Sequence, residues 1–208
     1  GNPHDTQTQT FISLILEHLI DVRPDGSVVL NMAFFHYHVG LKMIKEKRWK
    51  SLFGLDVRKP ETELTQPYMN LAYAIQHVTE LIVEKLASTA LRITNCNNLV
   101  LAGGVALNCV ANGQLLAKNI TSNLWIQPAA GDAGGSLGAA FAYLYAKYPT
   151  LNKPTIDSQA GSYLGPEFTD KDIQRISSKF NAPFDHHECM SSVYSTVASF
   201  LDQGLVVG

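Results

Sequence analysis

The segment from Asn98 to Ala140 contains the same local plan twice, and this repetition constrains the fold more than any other feature. A short apolar run, first residues 99–102 and then 124–126, leads into a turn of small residues. The turns are Gly103-Gly104 and residues 131–135, and each is followed by alanine- and leucine-rich sequence with helical spacing. The pattern predicts two strand–turn–helix units. We therefore expect an α/β fold, a mixed sheet with helices on its faces, whose site lies where the strands end.

The composition of the two turns favours an anion-binding site. Paired glycines let a ligand approach the backbone closely, and the start of a helix offers unpaired N–H groups that suit phosphate. Asp132 is different, because a carboxylate there repels phosphate unless a cation lies between them. The residues alone predict a nucleotide or acyl-phosphate site with a metal near Asp132. The alternative is that the glycines only close tight turns.

The bulk properties exclude several classes of protein. The 208 residues carry a formal net charge of -2 and no run of basic residues, so we expect no nucleic-acid partner. Three cysteines without C-x-x-C spacing (Cys96, Cys109 and Cys189) predict neither a disulfide framework nor a zinc site and favour a reducing, cytoplasmic location. No run of 18 apolar residues is present, so we expect no membrane span. The turn-like start and the apolar run that ends at Gly208 indicate a piece of a longer protein.

Other elements follow from local signals. Apolar spacing predicts helices near residues 11–20, 41–54, 171–180 and 192–203, and a strand of a small hairpin at 27–32. The longest helix is expected from Tyr68 to about Ile93, with Thr65 as its N-cap and Gln76 in a structural role. Thr169 is predicted to cap the helix at 171–180. The apolar run at residues 205–207 predicts a final strand.

The histidines give no metal site by themselves. His36 and His38 would lie on one face of a strand, but packing or surface positions are favoured because no third ligand is nearby. His186 and His187 are adjacent, so their side chains should point apart. Their roles stay open.

Four stretches carry a resemblance to a known family: LAGGVALNCVANGQL, IQPAAGDAGGSLGAA, YLGPEFTDKDI and the terminal LDQGLVVG. They resemble carbamoyltransferases of the NodU/CmcH type. The resemblance implies a large domain similar to the actin/sugar-kinase/Hsp70 ATPase superfamily, with a ribonuclease H-like fold, and a YrdC-like C-terminal domain. It divides the chain into a peripheral insertion or connector at 1–65, a half-domain with the nucleotide and metal loops at 66–150, and a linker with the start of the next domain at 151–208.

The resemblance also implies an activity. In such enzymes ATP and carbamoyl phosphate give a carbamoyl-adenylate, and the carbamoyl group passes to a hydroxyl or amine of a small acceptor near an iron-type divalent metal. The matching positions are the nucleotide-binding Gly103, Gly104, Val105, Asn108, Gly131, Gly134 and Gly135, together with Asp132 as the catalytic and metal-binding residue. The N–H groups of Val105 and Ala106 are the expected anion donors. Asn108 can reach the nucleotide or act only as a helix cap.

Two departures from the family pattern limit what the chain can do alone. The H-x-x-x-H pair that supplies the family's other metal ligands is missing, and no arginine-rich motif follows LVVG. We therefore expect this chain to need the N-terminal half and the C-terminal domain of the same polypeptide as partners and to be inactive without them. A homodimer stays open. The alternatives are a non-catalytic nucleotide-binding module of the same superfamily and a purely structural domain.

Overall fold

The computed structural model describes residues 1–152 and 159–208, which belong to two compact units, Gly1–Asn152 and Lys153–Gly208. Residues 153–158, in the predicted linker, lie outside the described residues. The first unit contains the elements α1 (Thr6–Leu14), β1 (Ile20–Val22), β2 (Val28–Leu30), α2 (Glu46–Phe53), α3 (Gln66–Thr94), β3 (Asn98–Leu101), α4 (Cys109–Ala117), β4 (Asn123–Ile126) and α5 (Gly135–Lys147). The second unit contains α6 (Asp170–Phe180) and α7 (Met190–Asp202).

The predicted hairpin is confirmed. β1 and β2 pair antiparallel, with Ile20 opposite Leu30 and Val22 opposite Val28. The connecting turn needs Gly26, whose φ is +86°. The Asp25 carboxylate accepts hydrogen bonds from the Ser27 hydroxyl at 2.7 Å and the Ser27 N–H at 3.0 Å, and these bonds lower the pKa of Asp25.

Helix α3 is the scaffold of the first unit. Thr65 occupies the predicted N-cap position, although its side chain makes no capping bond, and Asn95 ends the helix in the left-handed conformation. The N-terminal half of α3 buries Ala74 and Val78 against Phe11 and other apolar residues of α1 and α2. Its C-terminal half buries Ala87 against residues of β3 and α4. A single helix therefore links the apolar cluster near the N-terminus with the strands that carry the glycine loops.

The strands form two separate sheets rather than one mixed sheet. β3 and β4 pair parallel and in register from Asn98 opposite Asn123 to Leu101 opposite Ile126. Within the described residues neither sheet has more than two strands, so the fold is α/β with short sheets and many helices. The two predicted strand–turn–helix units are confirmed as β3–α4 and β4–α5.

One local prediction was wrong, and it concerns residues 205–207. At His36 and His38, whose secondary structure the sequence left open, the His36 carbonyl accepts the Val39 N–H at 3.1 Å and closes a turn. Residues 205–207 form no strand, since Gly204 ends α7 with a φ of +76° and no described strand pairs with them. Among the described residues, the apolar run at 205–207 lacks the ladder partner that a strand requires, and the aromatic run before His36 forms an isolated bridge between Phe35 and Ile44.

The second unit begins α6 with a capping box. The Thr169 hydroxyl accepts the Asp172 N–H, and the Asp172 carboxylate accepts the Thr169 N–H at 3.1 Å. This confirms Thr169 as the predicted N-cap. Bonds from Thr169 also lower the pKa of Asp172. No helix among the described residues is long and apolar enough to cross a membrane.

Candidate functional site

The two glycine loops lie side by side at one edge of the β3–β4 sheet. The strands are parallel and end together, at Leu101 and Ile126, so the chain leaves both at the same edge. The Gly103 N–H donates to the Ala130 carbonyl at 2.7 Å, which ties the first loop directly to the second. Parallel pairing thus brings together segments that are well separated in sequence.

The first loop presents two backbone donors. Gly103 has a φ of +105°, which favours glycine, and residues Gly104–Leu107 form a single 3₁₀ turn. The Ala106 N–H donates to the Gly103 carbonyl at 3.0 Å, so it is not the anion donor expected from the sequence. The N–H groups of Gly104 and Val105 donate to no other described residue. These two groups are the ones available to an anion.

A buried hydrogen bond from α4 supports the first loop. The Asn112 side chain, 8% exposed, donates to the Ala106 carbonyl at 2.7 Å. A pocket of about 370 Å³ borders the loop and is lined by apolar residues of α3 and β3 and by Val105 and Asn112. The loop is therefore supported from the α4 side and open on the side of Gly104, where a Cβ would meet nothing within 4 Å.

The second loop is a 3₁₀ turn, Asp132–Gly134, that leads into α5. Gly134 is required because a Cβ there would overlap the Ala129 carbonyl oxygen. The N–H groups of Asp132 and Ala133 donate to no other described residue. Beneath the turn, the Gln127 Oε1 atom is buried without a hydrogen-bond partner among the described residues. Sequence reasoning missed Gln127, since only the folded loop shows that its amide is enclosed.

Asn108 follows the first loop and caps α4. Its Oδ1 atom accepts the Ala111 N–H at 3.1 Å, and its side chain also forms two hydrogen bonds with Gln76 of α3. The structure thus shows the helix-cap role for Asn108. The side-chain amide keeps one N–H that could still reach a ligand.

The Asp132 carboxylate is exposed and forms no ion pair or hydrogen bond with any described residue. Across residues 1–152 and 159–208, no group of three or more His, Cys, Asp or Glu side chains is placed to hold a metal ion. His187 Nδ1 lies 2.8 Å from the Ser192 hydroxyl, and His36 Nδ1 is buried and forms no hydrogen bond with any described residue. The described residues therefore do not fit an iron-type site, which would need ligands from outside them.

At this edge four backbone N–H groups on two glycine-bounded turns donate to no described residue, and the Asp132 carboxylate has no ion-pair partner in the part of the chain that the structure describes. Such turns bind phosphate or another oxyanion, because their amide N–H groups can point at the anion and glycine has no side chain to block its approach. The carboxylate opposes anion binding unless a cation offsets its charge. The arrangement suits a phosphate-bearing ligand that arrives with a divalent cation.

In the second unit, Cys189 occupies the N-cap position of α7. The Ser191 hydroxyl, 3.0 Å from the Cys189 sulfur, lowers the pKa of this thiol, and the Ser192 N–H adds to the effect. Both bonds favour the thiolate.

We expect Ser191→Ala to raise the pKa of Cys189 and to slow its alkylation by iodoacetamide severalfold at pH 7.5, because the thiolate fraction falls. The rate at Cys189 is followed by peptide mass spectrometry between pH 6 and 10. The exposed Cys96 and Cys109 serve as internal references whose rates should not change. An unchanged Cys189 profile in the variant would contradict this assignment.

Comparisons with known proteins show the family to which this chain belongs. The sequence model of the family described as carbamoyltransferase N-terminus matches residues 6–141, more than half of the chain and both glycine loops. The uncharacterized protein sll1178 of Synechocystis sp. is 44% identical over 203 residues, which is 95% of this chain and 32% of the relative.

Two nodulation proteins are also similar. NolNO of Sinorhizobium fredii is 30% identical over 158 residues, covering 76% of this chain and 23% of the relative. NolO of Bradyrhizobium diazoefficiens is 31% identical over 162 residues, covering 76% of this chain and 28% of the relative. The chain thus spans about a quarter to a third of the length of these curated relatives. The match over residues 6–141 shows that the chain belongs to the carbamoyltransferase family.

Proposed function

We propose that this chain supplies one half of the nucleotide cleft of an ATP- and carbamoyl-phosphate-dependent carbamoyltransferase. In this proposal water releases phosphate from carbamoyl phosphate, and the resulting carbamate attacks the α-phosphate of ATP to give a carbamoyl-adenylate and pyrophosphate. The hydroxyl or amine of a small-molecule acceptor then takes the carbamoyl group, and AMP leaves. Membership of the carbamoyltransferase family supports the transfer. The adenylate, the ATP requirement and the acceptor class are proposals.

The observation that carries the proposal is the junction of the two glycine loops. The Gly103–Ala130 hydrogen bond places the open N–H groups of Gly104 and Val105 beside the second loop. We assign the phosphates of ATP, and then the single phosphate of the adenylate, to these two groups and to the turn bounded by Gly131, Gly134 and Gly135. An anion held this way is bound mainly by fixed backbone dipoles, which need no rearrangement when charge develops during transfer.

We assign Asp132 a catalytic role beside this anion site. The carboxylate is exposed and has no partner among the described residues, so it is free to contact the reacting groups or a cation bound with the nucleotide. Because the described residues do not form a metal site, no step is assigned to a resident metal. We propose that the remaining ligands and the acceptor pocket come from other parts of a longer polypeptide, as the length of the curated relatives suggests.

The first test is ATP binding by the chain itself. ATP at a hundredfold excess over its Kd stabilises a folded protein by about 2.7 kcal/mol, which raises the Tm of a chain of this size by about 5 to 10 °C. We expect such a shift for the unmodified chain in the presence of magnesium ions. If neither ATP nor carbamoyl phosphate changes the Tm, the glycines only close turns and the proposal fails.

Gly104→Ala separates binding from folding. A Cβ at Gly104 would stand in open space, so we expect the Tm without ligand to stay within about 2 °C, while the methyl group hinders the approach of the anion and removes most of the ATP-induced shift. Gly113→Ala in α4 is the matched control, since a Cβ there also meets nothing within 4 Å and the residue lies outside the loops. A full ATP shift in Gly104→Ala would contradict the assignment of this loop.

A further inference from the structure

Gln76 of α3 and Asn108 form a reciprocal pair of side-chain amides. Asn108 Nδ2 donates to Gln76 Oε1 at 2.9 Å, and Gln76 Nε2 donates to Asn108 Oδ1 at 3.1 Å. Both side-chain bonds are partly buried, and the residues are 32 positions apart in sequence. The pair is therefore a tertiary contact between the scaffold helix and the residue that follows the first glycine loop.

The neighbours of the pair fix the orientation of both amides. Gln76 Nε2 also donates to Glu80 Oε1 at 2.8 Å, and an ionised carboxylate can only accept. Asn108 Oδ1 also accepts the Ala111 N–H at 3.1 Å, and a backbone N–H can only donate. A flip of either amide would set donor against donor or acceptor against acceptor. The network thus has one arrangement.

One further hydrogen bond connects this side-chain network to the turn that carries the N–H groups of Gly104 and Val105. The Asn108 N–H donates to the Val105 carbonyl at 3.0 Å, so the position of Asn108 sets the 3₁₀ turn that carries the Gly104 and Val105 N–H groups. On its other side the turn is held through Gly103 and Ala130. Loss of the Gln76 contact would leave Asn108 and the turn bonded to each other and to α4 but no longer tied to α3, and the donors could turn away from the anion.

We propose that Gln76 is a positioning residue of the nucleotide site. It holds Asn108 through the amide pair and thereby aims the N–H groups of Gly104 and Val105, while Glu80 holds Gln76 in the required orientation. The inference rests on the proposed function, because it assumes that these N–H groups bind the phosphates of ATP. Gln76 itself touches neither substrate nor reacting atoms.

The test exchanges amide and carboxylate groups at positions 76 and 80, which keeps the shape of each side chain and changes which group donates the hydrogen bond. Gln76→Glu replaces the donor to Glu80 with a second carboxylate, and we expect it to raise the Kd for ATP about tenfold. Adding Glu80→Gln restores a donor between positions 76 and 80 and the original net charge, and the carboxylate at position 76 still accepts from Asn108 Nδ2. Its second oxygen cannot donate to Asn108 Oδ1, so the double variant should regain part of the lost affinity for ATP and bind clearly more tightly than Gln76→Glu alone. Kd values come from isothermal titration calorimetry with ATP and magnesium ions.

Two further variants test whether Gln76 affects ATP binding by positioning the loop, rather than through an added charge or a general loss of stability. Gln76→Leu removes the network without adding charge, so it should weaken ATP binding about as much as Gln76→Glu. Glu84→Gln breaks a different contact between the same two helices, the ion pair with Lys118, and should leave the Kd unchanged. The loop is followed independently by hydrogen–deuterium exchange of the Ala106 and Asn108 N–H groups. Their exchange should speed up by about fivefold or more in Gln76→Leu and stay unchanged in Glu84→Gln.

The outcomes distinguish the inference from the function on which it rests. Normal ATP binding and normal loop exchange in Gln76→Leu would overturn the inference and leave the proposed function standing. The same holds if Glu80→Gln fails to rescue Gln76→Glu. If the unmodified chain binds no ATP, the proposed function fails, and the exchange rates alone decide whether Gln76 positions the loop.

Discussion

Replacing Asp132 with asparagine should lower the rate of carbamoyl transfer at least about a hundredfold while ATP still binds. The exposed side chain forms no hydrogen bond or ion pair with any described residue, so its replacement should change stability by less than about 0.5 kcal/mol. Asparagine has nearly the same shape but no charge. A loss of turnover therefore reports the carboxylate itself rather than the fold of the loop.

The same variant should change how ATP binding depends on cations. Because a carboxylate beside an anion repels it, removal of the charge should strengthen ATP binding in the absence of divalent cations, by about threefold to tenfold. Turnover is measured on the complete transferase polypeptide, and ATP affinity by calorimetry with and without magnesium ions. Asp202→Asn, at the last residue of α7, is the matched control. Unchanged turnover in Asp132→Asn would remove this residue from the catalytic machinery.

Gly134→Ala should destabilise the chain by about 2 kcal/mol and abolish ATP binding. The added Cβ would overlap the Ala129 carbonyl oxygen, and a backbone atom cannot move aside as a flexible side chain can. The second loop must then shift, and with it Ala130, whose carbonyl accepts the Gly103 N–H. The substitution at Gly134 is therefore expected to displace the first loop as well.

Thermal unfolding measures this effect, with an expected fall in Tm of about 4 to 8 °C. Gly138→Ala is the matched control, since this residue lies in α5 and a Cβ there meets nothing within 4 Å. The control should keep or slightly raise the Tm, because alanine favours a helix. Equal Tm values for the two variants would show that the loop relaxes freely and does not depend on glycine at 134.

The features predicted correctly from sequence are those with a local cause. The β3–α4 and β4–α5 units follow from apolar runs that end at glycines, and the bounds of α3 follow from its apolar spacing and the cap position at Thr65. The capping box at Thr169 needs only residues three apart. Signals of this kind depend on backbone preferences that do not require the rest of the fold.

The features that sequence could not predict depend on partners distant in the chain. Gln76 looks like one more polar residue on a helix until Asn108 is placed beside it, and the Ala106 N–H looks free until the turn supplies the Gly103 carbonyl. The run at 205–207 resembles a strand because its composition is apolar, yet a strand needs a ladder partner. Positions of the glycine loops were therefore predictable, while the contacts that aim their N–H groups were not.

The most direct test of the central proposal is pyrophosphate release by the longer polypeptide proposed above, given ATP with and without carbamoyl phosphate. We predict that release requires carbamoyl phosphate, which would establish adenylate chemistry and leave the acceptor to be identified. ATP that binds without any carbamoyl-phosphate-dependent release would contradict the proposed adenylate chemistry and favour a nucleotide-binding switch instead.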